Sequence, residues 1–253
     1  MIQLTPKEEE ARKRVCLPLD GLETLDAVKA RVEELIPVVG LFKVGMESFT
    51  DFGPDVIKLV KDYGANVFLD LKFGDIPKTA AGAARAATKH GVYMFNFHAL
   101  CGSEALKAAK ESAEDAAIEY GVTVPKLLGV TILTSLDQKR MNEELRIPGS
   151  VEDQVLHLAK LTDGTGLDGI VCSAADLLLV RPYLRARFMY VTPGIEGPKT
   201  PAGSDQKRVM TPGNAIKAGS SILVVGRAIT GPKTPDERLQ AGYEVLQDMV
   251  PYI

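Results

Sequence analysis

Phe68-Leu69-Asp70-Leu71-Lys72-Phe73-Gly74-Asp75-Ile76-Pro77-Lys78-Thr79-Ala80 leaves an apolar, β-prone run that starts at Asn66 and Val67. Asp70 and Lys72 therefore fall at the end of a buried strand, with Asp75 in the loop beyond. Side chains alternate faces along a strand, so residues two apart project together and an acid and an amine share one space. Charged groups are scarce inside buried parallel strands, and three of them at one strand end point to a site. The plainer alternative is an ion-pair loop on the surface.

Working outward, the same kind of unit recurs. Thr5, Pro6 and Glu8 supply an N-cap, a first-turn proline and a capping-box partner, which predicts a short polar helix to about Arg14, an exterior appendage formed by residues 1–14. The remainder, residues 15–253, reads as one catalytic domain. Val15 to Asp20 is a first strand ending in an acid, and Leu41 to Gly45 a second in which Lys43 breaks an apolar run. Such a lysine is costly unless its amine meets a carboxylate. Further strands are expected over 93–99, 126–133, 169–173, 188–192 and 221–225, with helices over 25–36, 54–63, 78–90, 105–120, 151–162 and 175–182 and a closing helix capped at Thr234. Eight β-branched strands alternating with helices predict an α/β chain folded as a single (β/α)8 TIM barrel with an N-terminal helical extension. An open doubly wound sheet would carry Gly-x-Gly-x-x-Gly after its first strand, and this chain has none there.

A chain of 253 residues, 45% hydrophobic, is the usual size of such a barrel. Its 30 basic and 33 acidic residues are interspersed, giving a net charge of -3 and no basic patch, so no nucleic acid is expected. No apolar run approaches a membrane span or a signal peptide, so no membrane association and a cytoplasmic location are expected. Cys16, Cys101 and Cys172, and His90, His98 and His157, are too scattered for disulfides or a zinc site, so no structural metal is expected.

In a barrel every strand opens its carboxyl end on one face, which brings Asp20, Lys43, Asp70, Lys72, Asp75, Thr134, Gly194 and Arg227 together. Lys43 and Lys72 with Asp70 and Asp75 form a set that neutralises itself while each group stays ionised. Gly226-Arg227 after the eighth strand suits a phosphate, because glycine admits a backbone N–H and arginine grips an anion bidentately. His98 reads as a hydrogen-bonded packing residue rather than an acid–base group. Cys101 and Cys172 read as small buried residues, since no histidine is placed to activate them.

These residues resemble the orotidine 5'-phosphate decarboxylase family. The match runs through Asp70-Leu71-Lys72-Phe73-Gly74-Asp75-Ile76-Pro77-x-Thr79 with Lys43, Val130 to Ser135, Asp168 to Ser173, Thr192-Pro193-Gly194-Ile195, Asp205-Gln206-x-Arg208 and Val225-Gly226-Arg227. The resemblance implies a cofactor-free conversion of orotidine 5'-phosphate to uridine 5'-phosphate, with Lys72 giving the proton that replaces the carboxylate and Lys43, Asp70 and Asp75 completing the charge network. It implies a homodimer in which Asp75, Ile76 and Thr79 reach the neighbouring site. It places Asp20 on the ribose, Thr134 and Ser135 on the pyrimidine, Pro193 in the substrate-binding set, and Gln206, Gly226 and Arg227 on the phosphate. Glu196 departs from the arginine usual in bacterial members, with Lys199 as its candidate substitute, and Cys101 stands where glycine is commoner. The rival readings are a metal-assisted 3-keto sugar-phosphate decarboxylase, which would need a carboxylate in place of Lys43, and a non-catalytic nucleotide-phosphate binding barrel.

Overall fold

Strand alternation builds this molecule. The structure, a computed structural model, describes residues 3–198 and 210–253. Eight parallel strands close into a barrel in sequence order: β1 (Val15–Pro18), β2 (Leu41–Gly45), β3 (Asn66–Phe73), β4 (Met94–His98), β5 (Lys126–Val130), β6 (Gly169–Val171), β7 (Met189–Thr192) and β8 (Ile222–Val224), with β8 pairing back on β1. The predicted (β/α)8 barrel is the fold observed.

Odd and even positions sort into two apolar clusters. Phe42, Val44, Val67, Leu69, Phe95 and Phe97 point outward into the core shared with the surrounding helices. Cys16, Leu41, Phe68, Met94, Leu128, Val191, Ile222 and Val224 form a separate cluster that fills the barrel. One inward step beyond Leu41, Phe68 and Met94 toward the strand ends stand Lys43, Asp70 and Asn96, all buried. The period of two thus converts an apolar plug into a polar floor within a single residue repeat.

The expected N-terminal helix forms, ends at Arg12 rather than about Arg14, and is tied to the barrel's outer layer. Pro6–Arg12 lies against the closing helix Pro235–Met249, with Ala11 and Glu8 buried. Tyr243 Oη donates to Glu8 at 2.8 Å, Gln247 also donates to Glu8, and the Arg12 guanidinium donates to the carbonyls of Ile36 and Val39. Short helices at Met46–Phe52, Gln138–Glu143, Pro212–Ala218 and Arg227–Thr230 lie outside the expected set. Each is too short for a 3.6-residue repeat to declare itself, although Thr211, Pro212 and Gly219 supply the N-cap, first-turn proline and left-handed C-terminal glycine of the third.

Opposite the mouth, Asp168 precedes β6 and accepts from the Leu127 amide at 3.0 Å, Lys110 Nζ at 3.0 Å and Lys126 Nζ at 3.1 Å. Burial pushes this carboxyl up, but the Leu127 amide and the two ammonium groups outweigh it and hold its pKa below the usual value. A lowered carboxylate pKa adds stability that is present above the unfolded value and is lost as pH falls through the folded one. Asp168→Asn is expected to cost about 1–3 kcal/mol at neutral pH. In urea unfolding, its gap from the parent protein should narrow on acidification below about pH 4.

Candidate active site

Three neighbouring strands deliver the charges. Lys43 on β2 is 9% exposed, and Asp70 on β3 is 8% exposed. Lys43 Nζ lies 2.9 Å from Asp20 Oδ2 and 3.5 Å from Asp70 Oδ2. Lys72 Nζ lies 2.8 Å from Asp70 Oδ1. The result is a chain of alternating sign, Asp20, Lys43, Asp70, Lys72, in which Asp70 is the buried anion bracketed by two cations. Burial by itself disfavours the Lys43 ammonium, but the Asp70 and Asp20 carboxylates more than offset it and hold its pKa above the ordinary lysine value. Gly45 makes room for this packing: a Cβ there would stand 2.6 Å from Asp20 Oδ1 and 2.8 Å from Lys43 Nζ.

The strand that carries Asp70 and Lys72 is not regular. Lys72 has a φ of 49°, in the left-handed region that a lysine rarely occupies, and the pairing of β3 with β4 shifts between Leu69 and Phe73. Simple alternation therefore brings Phe68 and Asp70 to one face, while Lys72 returns to Asp70 from a bulge. Asn96, fully buried on β4, donates from Nδ2 to Asp70 Oδ1 at 2.7 Å and accepts from the Lys72 amide at 2.8 Å. The sequence reading missed it. The signal was there, an amide inside Met94-Phe95-Asn96-Phe97-His98, where an unpartnered polar group would be costly.

A cavity of about 210 Å³ opens above the network, lined by Lys43, Phe68, Asp70, Lys72, Val130, Ile132, Leu133, Thr134, Val171, Cys172, Pro193 and Val224. It is a largely apolar slot with charges at one end. Lys43, Asp70, Lys72, Thr134 and Pro193 of the expected set meet there. Asp20 joins through Lys43, with its side chain 41% exposed. Ser135 is exposed beside Thr134, and its carbonyl accepts from Arg140. Gly226 and exposed Arg227 follow β8, where Gly226 caps the helix Arg227–Thr230. Gln206 and Lys199 lie outside the described residues.

Within one chain Asp75 does not join Lys43, Asp70 and Lys72 among the described residues. It is exposed and joins no ion pair among the described residues, and its carboxylate accepts from the Ile76 amide at 2.7 Å. Ile76, 67% exposed, and exposed Thr79 do not line this cavity either. The cause is the sharp exit of the loop into the helix Pro77–Lys89, which carries all three past the barrel rim. His98 differs from its expected role too. Its Nδ1 is buried with no hydrogen-bond partner among the described residues, and burial, followed by the Lys72 charge, pushes its pKa down. Cys172 is buried in the cavity wall and Cys16 in the barrel, and burial raises both thiol pKa values, the opposite of an activated nucleophile. Cys101 is half-buried. Glu196 Oε1 is also buried without a partner among the described residues.

Residues 13–241 match the family model described as orotidine 5'-phosphate decarboxylase / HUMPS family. An orotidine 5'-phosphate decarboxylase of Moorella thermoacetica is 42% identical over 228 residues, 89% of this chain and 88% of that protein. One from Pseudoalteromonas translucida is 44% identical over 226 residues, covering 89% and 94%. The crystal structure of orotidine 5'-phosphate decarboxylase from Lactobacillus acidophilus superposes with a TM-score of 0.78 at 36% identity, covering 93% of this chain and 98% of that one.

A lysine whose pKa is raised on folding adds stability that is fully present below its unfolded value, about 10.4, and lost as pH climbs through the folded one. Lys43→Met is expected to cost about 2 kcal/mol at neutral pH, less than a lone broken pair because Asp70 keeps Lys72 and Asn96. Denaturant titrations should show that cost shrinking at strongly alkaline pH. A pH-independent cost would mean that Lys43 acts through packing alone.

Proposed function

This chain belongs to the orotidine 5'-phosphate decarboxylase / HUMPS family, and from that premise we propose how its mouth residues carry out the decarboxylation of orotidine 5'-phosphate to uridine 5'-phosphate, the last step of de novo uridine 5'-phosphate synthesis. The observation that carries the assignment is the Lys72 ammonium, 2.8 Å from Asp70 at the edge of an apolar cavity. When the bond to the carboxylate breaks, carbon dioxide leaves and its electron pair stays in an in-plane orbital at ring carbon six, which the ring π system cannot take up. The carbanion has to be met by a positive field already in place, then by a proton. Lys72 supplies both: its charge opposes the growing one, and an N–H of its ammonium passes the proton to carbon six.

Asp70 holds Lys72 at the reacting carbon and lies toward the departing carboxylate. Lys43 balances Asp70, so that the buried acid stays ionised beside its lysine. Thr134 and Pro193, in the cavity wall, contact the pyrimidine, with Ser135 next to them. Asp20, at the outer end of the ion-pair chain, takes the ribose. Gly226, Arg227 and Gln206 hold the phosphate, away from the bond that breaks, and its binding energy orients the ring. The cavity, at about 210 Å³, supports this division, since it suits the ring end of the nucleotide and leaves the ribose and phosphate at the rim.

Asp75, Ile76 and Thr79 belong to the neighbouring subunit's site in a homodimer, a placement supported by their exposure and by the lack of a second anion beside Lys72 among the described residues. The keto-sugar reading needs a carboxylate where Lys43 stands, and that position instead holds the cation between Asp20 and Asp70. The free thiols suit a reducing cytoplasm.

Lys72→Ala is expected to abolish turnover, followed by pyrimidine absorbance, while uridine 5'-phosphate still binds in calorimetry. Near-parental turnover would remove Lys72 as proton donor. Asp75→Asn should also be inactive, and mixing it with Lys72→Ala after subunit exchange should restore about a quarter of parental activity, because half the random pairs are mixed and each holds one intact site. No recovery in demonstrably mixed dimers would put Asp75 in its own subunit's site.

A further inference from the structure

We propose that Asn96 is a positioning residue for the decarboxylation, its buried carboxamide filling the bulge in β3 and setting the backbone turn that aims Lys72 back at Asp70. The inference rests on the reading of Lys72 as the reacting ammonium. Leu69 pairs with Phe95 and Phe73 with Phe97, so four steps along β3 (69 to 73) run against two along β4 (95 to 97). Asp70, Leu71 and Lys72 therefore face Asn96 alone. In an unbroken strand Lys72 would stand about 6.6 Å beyond Asp70, and its amide would enter a regular ladder. Here the left-handed turn at Lys72 takes that amide out of the ladder, and the Asn96 side chain replaces the missing main-chain acceptor at 2.8 Å.

The other end of the same carboxamide donates to Asp70 Oδ1 at 2.7 Å, the oxygen that also receives Lys72 Nζ at 2.8 Å. One rigid group thus ties the carboxylate to the backbone of the lysine it holds. Its orientation is determined chemically: Asp70 can only accept and the Lys72 amide can only donate, so Nδ2 faces the acid and Oδ1 the amide. A left-handed non-glycine residue is strained and persists only where its surroundings enforce it. Asn96, with no exposed surface, is the partner positioned to do so. A lysine side chain has enough torsional freedom that losing this anchor leaves the ammonium free to wander from the reacting carbon.

The test uses the full-length enzyme with Asn96→Ala and Asn96→Asp, scored per folded molecule. Asn96→Ala is expected to lower kcat about 100-fold, the cost typical of a misplacement near 1 Å, with little change in uridine 5'-phosphate affinity. Asn96→Asp keeps the acceptor for the Lys72 amide but sets a second carboxylate against Asp70, which raises the pKa of the pair. Its kcat relative to the parent should be low at alkaline pH and recover on acidification, once the new acid is protonated and can donate to Asp70. A merely structural residue would lower the melting temperature in both variants, leave kcat per folded molecule intact, and leave the Asn96→Asp profile parallel to the parent's; that result overturns the proposal. An inactive parent enzyme would instead refute the decarboxylase reading itself.

Discussion

A carboxylate taken out of water must be compensated where it stands, and the mouth of this barrel is arranged around that requirement at Asp70. Two ammonium groups and an amide surround it, at 3.5, 2.8 and 2.7 Å. Each partner comes from a different place in the chain: Lys43 from β2, Asn96 from β4, and Lys72 from a bulge two residues on. The barrel order sets β2, β3 and β4 side by side, so inward side chains near their carboxyl ends meet. The apolar plug beneath them excludes water from below, so the Coulomb attraction within the cluster is stronger than it would be at a surface. The same desolvation makes the cluster intolerant of losing any one member.

Much of this was legible because charges interrupt apolar runs. Lys43 within Leu41-Phe42-Lys43-Val44 and Asp70 within Phe68-Leu69-Asp70-Leu71 each break a strand that otherwise reads as buried, and the barrel order then makes them neighbours. Asn96 was passed over because a neutral amide stands out less than an ion, although its burial cost demands a partner just as firmly. Lys72 was correctly paired with Asp70 for an incomplete reason, since a period of two does not foresee a left-handed residue. The sequence reading makes His98 a hydrogen-bonded residue, yet its buried Nδ1 has no hydrogen-bond partner among the described residues. Composition and spacing carry no information at that level of detail.

Asp75 shows a different limit. Only Phe73 and Gly74 separate it from Lys72, and the chain turns into a helix at Pro77; its exposed carboxylate is bonded to its neighbour's amide. Strand order alone groups Asp75 with the other three charges at the mouth and does not say which chain's site it enters. The barrel supplies Asp20 as the outer anion, 2.9 Å from Lys43, while among the described residues Lys72 pairs with Asp70 alone. That asymmetry is what the proposed exchange of Asp75 between two copies of the chain would remove.

The two ends of the barrel divide the electrostatic work. At the floor, Asp168 joins β5, β6 and the helix Ser103–Tyr120 through an amide and two ammonium groups, an arrangement fully satisfied within the chain and remote from the cavity. At the mouth, a lysine is held in a disfavoured backbone region beside a histidine nitrogen with no partner among the described residues. Strain and unsatisfied polarity are tolerated only where the rest of the fold is secure. Placing them at the strand ends, above eight close-packed inward side chains, lets the loops and the bulge be shaped for the ligand without loosening the core that fixes their position.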